Sequence, residues 1–254
     1  MRTVFPALLL LVACSGAQKP AASDDARSRA QAVVDAPDRM PEDRALDGGR
    51  KPLETLEFLR LKPGMKVAEI GAGAGYTTEL VARSVAPDGV VYAQNPDLFI
   101  QRFLKTRWPD RLARPAMKNV VRVDREFDDP LPSEAKGLDL VLINVIYHDT
   151  TYLGVDRGKM NKAVFDALKP GGAYVLIDSS AKPGTGTSDS KTLHRIDEQT
   201  VRTEVEQAGF RLDSQGDFLR NPQDARDWDS SPGAAAQAGR RGQSDRFALR
   251  FVKP

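Results

Sequence analysis

The chain has 254 residues, 41% hydrophobic and 28% charged, which suits one domain with a substantial core. Its 37 basic and 35 acidic side chains give a formal net charge of +2 without a clustered basic face, so the composition offers nothing to a nucleic acid. Cys14 is the one cysteine, which excludes a disulfide within the chain.

Arg2 precedes an apolar run over residues 4–13. The run is too short for a bilayer-spanning helix and has the length of a signal-peptide core. Leu11-Val12-Ala13-Cys14 resembles the bacterial lipobox, in which the cysteine thiol is acylated and becomes the new N-terminus. The resemblance implies a lipoprotein signal over residues 1–14, lipidation at Cys14 and a periplasmic protein held to a membrane. Ser15, in place of an Asp, implies the outer membrane. The competing reading is an ordinary secretory signal in which the cysteine is incidental. A Cys14→Ala variant separates the two. It should leave the membrane fraction, and a variant that stays there after a salt wash overturns the anchor. Residues 15–45 are rich in Ala, Asp, Arg, Pro and Ser and carry few large apolar groups. They are expected to be a disordered tether, with the folded domain over residues 46–254.

Pro52 can start a helix with Leu53, Leu56 and Leu59 on one side, and Lys62-Pro63-Gly64 ends it. Residues 66–70 read as a strand that runs into a glycine-rich turn. A helix over 77–86 stops at Pro87-Asp88-Gly89, followed by a short strand over 90–93 and a helix over 97–108. Strands are expected over 120–123 and 138–145, then a helix over 159–168 stopped by Lys169-Pro170-Gly171-Gly172. A strand over 173–178, a helix over 197–208 and strands over 210–213 and 246–252 complete the series. Strands alternating with helices indicate right-handed crossovers, hence a doubly wound α/β fold with a mainly parallel sheet. Residues 229–244 read as a flexible loop, and the two strands it joins can be antiparallel neighbours.

Glu69-Ile70-Gly71-Ala72-Gly73-Ala74-Gly75-Tyr76 lies between a strand and a helix, where a nucleotide-binding turn belongs. Glycine permits positive φ and lets a ligand come close to the backbone. A dinucleotide fingerprint, GxGxxG, would put its third glycine at position 76, which is Tyr; this counts against a nicotinamide-dependent reductase. The pattern Glu-x-Gly-x-Gly-x-Gly instead resembles motif I of class I S-adenosylmethionine-dependent methyltransferases. Further along, the resembling pieces are residues 91–95, Tyr147-His148-Asp149, the 169–172 turn, Leu193-His194-Arg195-Ile196-Asp197 and Leu219-Arg220-Asn221-Pro222. Together they are similar to a family of extracytoplasmic methyltransferases.

That resemblance implies a seven-stranded sheet with a reversed last strand and S-adenosylmethionine bound at the carboxyl ends of the first strands. The implied cofactor contacts are Glu69, Gly71, Gly73, Gly75 and Tyr76 in the turn. Gln94 and Asn95 stand where the fold usually carries an acid for the ribose hydroxyls, Asp124 follows the third strand, and Asn144 ends the fourth. His148 follows the fourth strand at the sheet edge where ligands bind, and His194 lies after the fifth. With Tyr147 they are the candidate catalytic groups, because histidine suits proton removal near neutral pH. The competing reading gives both histidines structural hydrogen bonds to neighbours such as Asp149 and Asp197. Two histidines among scattered aspartates lack a ligand spacing, so no metal is expected. The implied activity is methyl transfer to a small-molecule or envelope acceptor. The alternative is a non-catalytic lipoprotein binding module that keeps the fold, since S-adenosylmethionine is charged, cytosolic in origin and does not cross a membrane unaided.

Overall fold

Residues along each central strand alternate between two apolar layers, and that alternation builds the architecture. The computed structural model describes residues 22–254. The strands are β1 (Lys66–Ile70), β2 (Val90–Asn95), β3 (Val120–Asp124), β4 (Leu138–Asn144), β5 (Leu168–Ser179), β6 (Arg211–Gly216) and β7 (Arg246–Val252). They form one seven-stranded sheet in the order β3-β2-β1-β4-β5-β7-β6. β1 pairs parallel with β2 and β4, β2 with β3, and β4 with β5. β7 runs antiparallel to both β5 and β6. This is the doubly wound, mainly parallel α/β sheet with a reversed last strand that the sequence leads one to expect.

On one face Val67, Val91, Leu140, Leu142, Val175 and Ile177 meet Leu56, Leu59, Leu80 and Val85 from helices Pro52–Leu59 and Tyr76–Val85. On the other, Ala68, Ile70, Val141, Ile143, Leu176 and Leu249 meet Met160, Val164, Val201 and Val205 from helices Arg157–Ala167 and Glu198–Gln207. The helix after β1 and the helix after β4 therefore cover opposite faces. The strand order reverses between β1 and β4, which is where open α/β sheets leave a crevice for ligands.

Three expectations need correction. The Cys14 anchor lies outside the described residues. The tether, however, is folded from residue 22 onward: Ala22–Val34 is a helix. Its Ala30, Val33 and Val34 make a stripe at i, i+3 and i+4 that packs on the first layer, and Arg27 meets Glu57 at 2.7 Å. Further on, Arg39 grips Asp47 through two hydrogen bonds of 2.7 and 2.8 Å, and the Tyr76 hydroxyl donates to the same carboxylate at 2.7 Å. Few apolar residues suffice here because they are correctly spaced and the charges have distant partners.

The helix expected over 97–108 breaks into Asp97–Phe99, a π-turn at Ile100–Leu104, and a new helix Arg107–Leu112. Pro109 fits the first turn of a helix and not the interior of one. The loop expected over 229–244 contains a helix, Pro232–Gln237, whose Ser231 cap accepts a hydrogen bond from the Ala234 amide. Ser at the N-cap with Pro at the next position is a helix start.

Candidate active site

A cleft of about 1080 Å³ opens at the carboxyl ends of β1 and β4, and the glycine turn is its floor. Gly71, Gly73 and Gly75 all have positive φ, at 70°, 57° and 83°. Their surroundings differ. A Cβ on Gly71 would stand 2.7 Å from Ile146, and one on Gly75 would stand 2.8 Å from Arg111 and 2.9 Å from Trp108. A Cβ on Gly73 would meet nothing within 4 Å. Gly71 and Gly75 thus let the turn pack tightly, while Gly73 faces open space.

Glu69, Tyr76 and Asn144 also line the cleft. Glu69 accepts a hydrogen bond from the Thr78 hydroxyl at 2.5 Å. Burial pushes its carboxyl up to about 7, against the opposing pull of Thr78 and the Arg50 charge. Asn144 donates to the Thr77 hydroxyl at 3.0 Å. The opposite wall is made by Met40, Glu42 and Asp43, from the segment expected to be tether, with Leu46 and Arg50 just beyond it.

Gln94, Asn95 and Asp124 do not border the cleft. The Gln94 side-chain oxygen accepts from the Gly71 amide at 2.9 Å. Asn95 accepts from the Gly73 amide at 2.8 Å and donates to the Gly73 carbonyl at 3.1 Å. Both side chains hydrogen-bond the glycine turn from behind and do not line the cleft. Asp124 pairs with Arg122 at 2.7 Å on the flank of β3.

Beyond β4, Val145 turns the chain with φ 59°, a strained value for a β-branched residue, while its amide donates to the Ile177 carbonyl at 2.7 Å. The short helix Tyr147–Tyr152 then carries His148 onto the cleft wall. Asp178, at the end of β5, receives the His148 backbone amide at 2.9 Å, the ring Nδ1 at 2.7 Å and the Ser179 amide at 2.7 Å. An Nδ1–H aimed at that carboxylate leaves Nε2 as the basic nitrogen. Asp149 Oδ1 stands 3.4 Å from Nε2 and accepts a hydrogen bond from Tyr152. Burial favours the neutral ring, but the charge and hydrogen bond of Asp178 outweigh it, so the His148 pKa lies above its ordinary value.

His194 joins this cluster, its ring 5.6 Å from that of His148. Its Nδ1 lies 2.9 Å from Asp229, close enough for an ion pair but off the line of a hydrogen bond. Asp197 is not its partner; that carboxylate caps helix Glu198–Gln207 by accepting from the Gln199 amide. The loop bearing His194 is held by Arg195, whose fully buried ion pair with Asp224 measures 2.8 Å. Tyr147 is corrected outright. It turns into the core, donating to Glu204 at 2.7 Å and accepting from Asn161 at 2.9 Å. Asp229, Tyr152 and Arg50 escaped the sequence reading. Only Asp229, just before a Ser-Pro helix start, carried a local signal.

The fold is that of the class I methyltransferases. A solved S-adenosylmethionine-dependent methyltransferase from Aquifex aeolicus matches with a TM-score of 0.57 at 19% identity, covering 90% of this chain and 98% of that one. A TehB-like methyltransferase from Corynebacterium glutamicum matches at 0.50 and 15% identity, covering 93% and 100%. The sequence profile of the Protein-L-isoaspartate(D-aspartate) O-methyltransferase (PCMT) family matches residues 28–120. Protein-L-isoaspartate O-methyltransferase of Pyrococcus horikoshii is 26% identical over 150 residues, 59% of this chain and 60% of that protein. Its counterpart in Methanothermobacter thermautotrophicus is 36% identical over 62 residues, 24% and 29% of the two chains. The chain thus spans less than two thirds of either relative's length. The profile match contains the glycine turn and stops short of β4 and the histidine cluster.

Proposed function

We propose that this chain is an S-adenosylmethionine-dependent methyltransferase whose acceptor gives up a proton to His148. The observation that carries the reading is the open space over Gly73 between Glu69 and the Asp178–His148 pair. Gly73 leaves room for a ligand against the backbone, and Glu69 and Tyr76 would hold its amino-acid end. Bound there, S-adenosylmethionine supplies an electrophilic methyl group on a sulfonium centre. The chain's own part is to align the acceptor and to take its proton. Nε2 of His148 receives that proton, and the imidazolium so formed sits between Asp178 and Asp149.

A hydroxyl or phenol needs such a base, whereas an ionised carboxylate does not. The buried His–Asp pair therefore favours a hydroxyl-bearing small molecule or envelope component over the isoaspartyl carboxylate that the relatives' names imply. The lipid anchor expected at Cys14 would bring an envelope acceptor within reach. The competing reading, a non-catalytic binding module, shares the cleft but not the chemistry. Labelled methyl transfer into an envelope extract separates the two.

Calorimetry with S-adenosylmethionine and S-adenosylhomocysteine tests the cofactor directly. Wild-type protein should bind both, and Gly73→Arg should abolish binding by filling the one open position of the turn. Wild-type protein showing neither heat nor a thermal shift would remove the reading.

A further inference from the structure

The segment after β2 carries the most exposed large apolar side chain among the described residues, Phe103, at 64%. The π-turn Ile100–Leu104 puts it there: Ile100 and Leu104 are buried, while Gln101, Arg102 and Phe103 face water. Such turns are rare and recur at functional sites. Leu98, five residues before Phe103 and so about one π-turn away, is exposed as well. The Phe103 ring is braced from behind. It stands edge-on to Phe99, 6.0 Å between centroids, and Phe99 meets the buried Phe127 at 5.7 Å. Between Asp97 and Asp110 the chain has three cations and no acid. Arg102, Lys105 and Arg107 are all exposed, and none forms an ion pair among the described residues. Asp97 itself faces the Arg122 charge on β3. Phe103 and Arg107 also line the cleft, as does the exposed Tyr152.

We infer that residues 98–107 form a docking lip for an anionic lipid bilayer, with Phe103 and Leu98 entering the interface and Arg102, Lys105 and Arg107 meeting the headgroups. The chemistry is that of a membrane-surface segment: the apolar groups reach the acyl boundary, and the long cationic side chains extend to the phosphates. Each cation near an anionic surface strengthens binding about fivefold, so three together give about 100-fold. A second protein would need a patch of about 20 residues on this surface. Two apolar side chains and three cations do not make one, whereas a fluid interface accepts them. The anchor expected at Cys14 would hold the chain at the same surface. Because Phe103 and Arg107 border the cleft, docking turns its mouth toward the lipid. The acceptor then reaches His148 from the bilayer, which narrows its class to a hydroxyl-bearing amphiphile. That last step rests on the methyltransferase reading; the docking itself does not.

Bromine on lipid acyl chains quenches tryptophan at close range, so Phe103→Trp in the whole chain reads insertion at the lip wherever else the chain is attached. The native tryptophans set the background: Trp108 is fully buried and Trp228 stacks on Arg195. On brominated vesicles of phosphatidylcholine and phosphatidylglycerol, Phe103→Trp should be quenched and blue-shifted well beyond wild type. On phosphatidylcholine alone the quenching should be weak, and on the mixed vesicles it should fall with added salt. Adding Arg102→Gln, Lys105→Gln and Arg107→Gln should lower the docked-to-undocked ratio about 100-fold. Thermal unfolding should not move, because these three side chains have no ion-pair partner to lose. No quenching at position 103 on the mixed vesicles, or equal quenching on neutral and anionic ones, overturns the lip. So does a blue shift present before vesicles are added, together with a dimer in sedimentation, which would put a second copy of the chain there. If the lip fails while S-adenosylhomocysteine still binds, the methyltransferase reading stands. If quenching is as expected but no cofactor binds, that reading and the amphiphile acceptor fall and the lip stands.

Discussion

His148→Asn should lower turnover by about 100- to 10,000-fold while S-adenosylmethionine affinity barely changes. Asparagine keeps a hydrogen-bond donor for Asp178 but has no nitrogen that titrates near neutral pH. The helix that carries the residue is anchored through the His148 backbone amide, which the substitution retains. The loss should therefore fall on proton transfer and not on the fold. The pH profile supplies a second readout. The base works when unprotonated, and the folded pKa lies above the ordinary histidine value of 6.5. Wild-type kcat should accordingly rise with pH through a midpoint above that value, and the variant should lose this limb. Unchanged turnover would return His148 to a structural part, holding the end of β5 against the end of β4 through Asp178.

What could be read from the sequence was local. Val67, Val91 and Leu140 alternate with polar or opposite-facing neighbours inside short strands, so the sheet announces itself within a few residues at a time. The turn at Gly71 to Gly75 is also contiguous, and its conformation follows from glycine alone. The partnerships were not local. His148 meets Asp178 across 30 positions, and Arg111 meets Asp43 across 68. No period or spacing exposes such pairs. Gln94 and Asn95 occupy the expected strand end, but an amide has both a donor and an acceptor and can bond the backbone of the adjacent turn. An acid at the same place could only accept. Tyr147 and His148 are consecutive in a helix, so they point to different sides; one reaches the cleft and the other enters the core. The tether reading failed for a related reason. Arg39 and Asp43 look like solvated charges in sequence and are ion-paired in the fold, with Asp47 and Arg111.

Arg111→Met should destabilise the protein by about 3–5 kcal/mol, the range for removing one partner from a buried ion network. Arg111 is 6% exposed, and its partners Asp43 and Glu79 are 8% and 2% exposed. It reaches Asp43 through two bonds of 2.7 and 2.9 Å, Glu79 at 2.7 Å and the Ala74 carbonyl at 3.0 Å. Methionine fills much of the space but donates nothing. Asp43 would be left buried without its cation, whereas Glu79 keeps Arg83 at 2.8 Å and Arg114 at 3.3 Å. Burial pushes the Glu79 carboxyl up, and its arginine partners more than reverse this, so its folded pKa lies below the ordinary value of 4.5. Stability from a depressed carboxylate is present above its unfolded pKa and lost as pH falls through the folded one. The gap between wild type and variant in urea unfolding should therefore be full at pH 7 and shrink on acidification below about 4.5. A loss under about 1 kcal/mol at pH 7, or a gap that does not change with pH, would show that this network contributes packing and not charge. The same variant should bind S-adenosylhomocysteine more weakly even where it remains folded. Arg111 joins the Ala74 carbonyl of the glycine turn to the Asp43 wall, and without it the two sides of the cleft are no longer tied together.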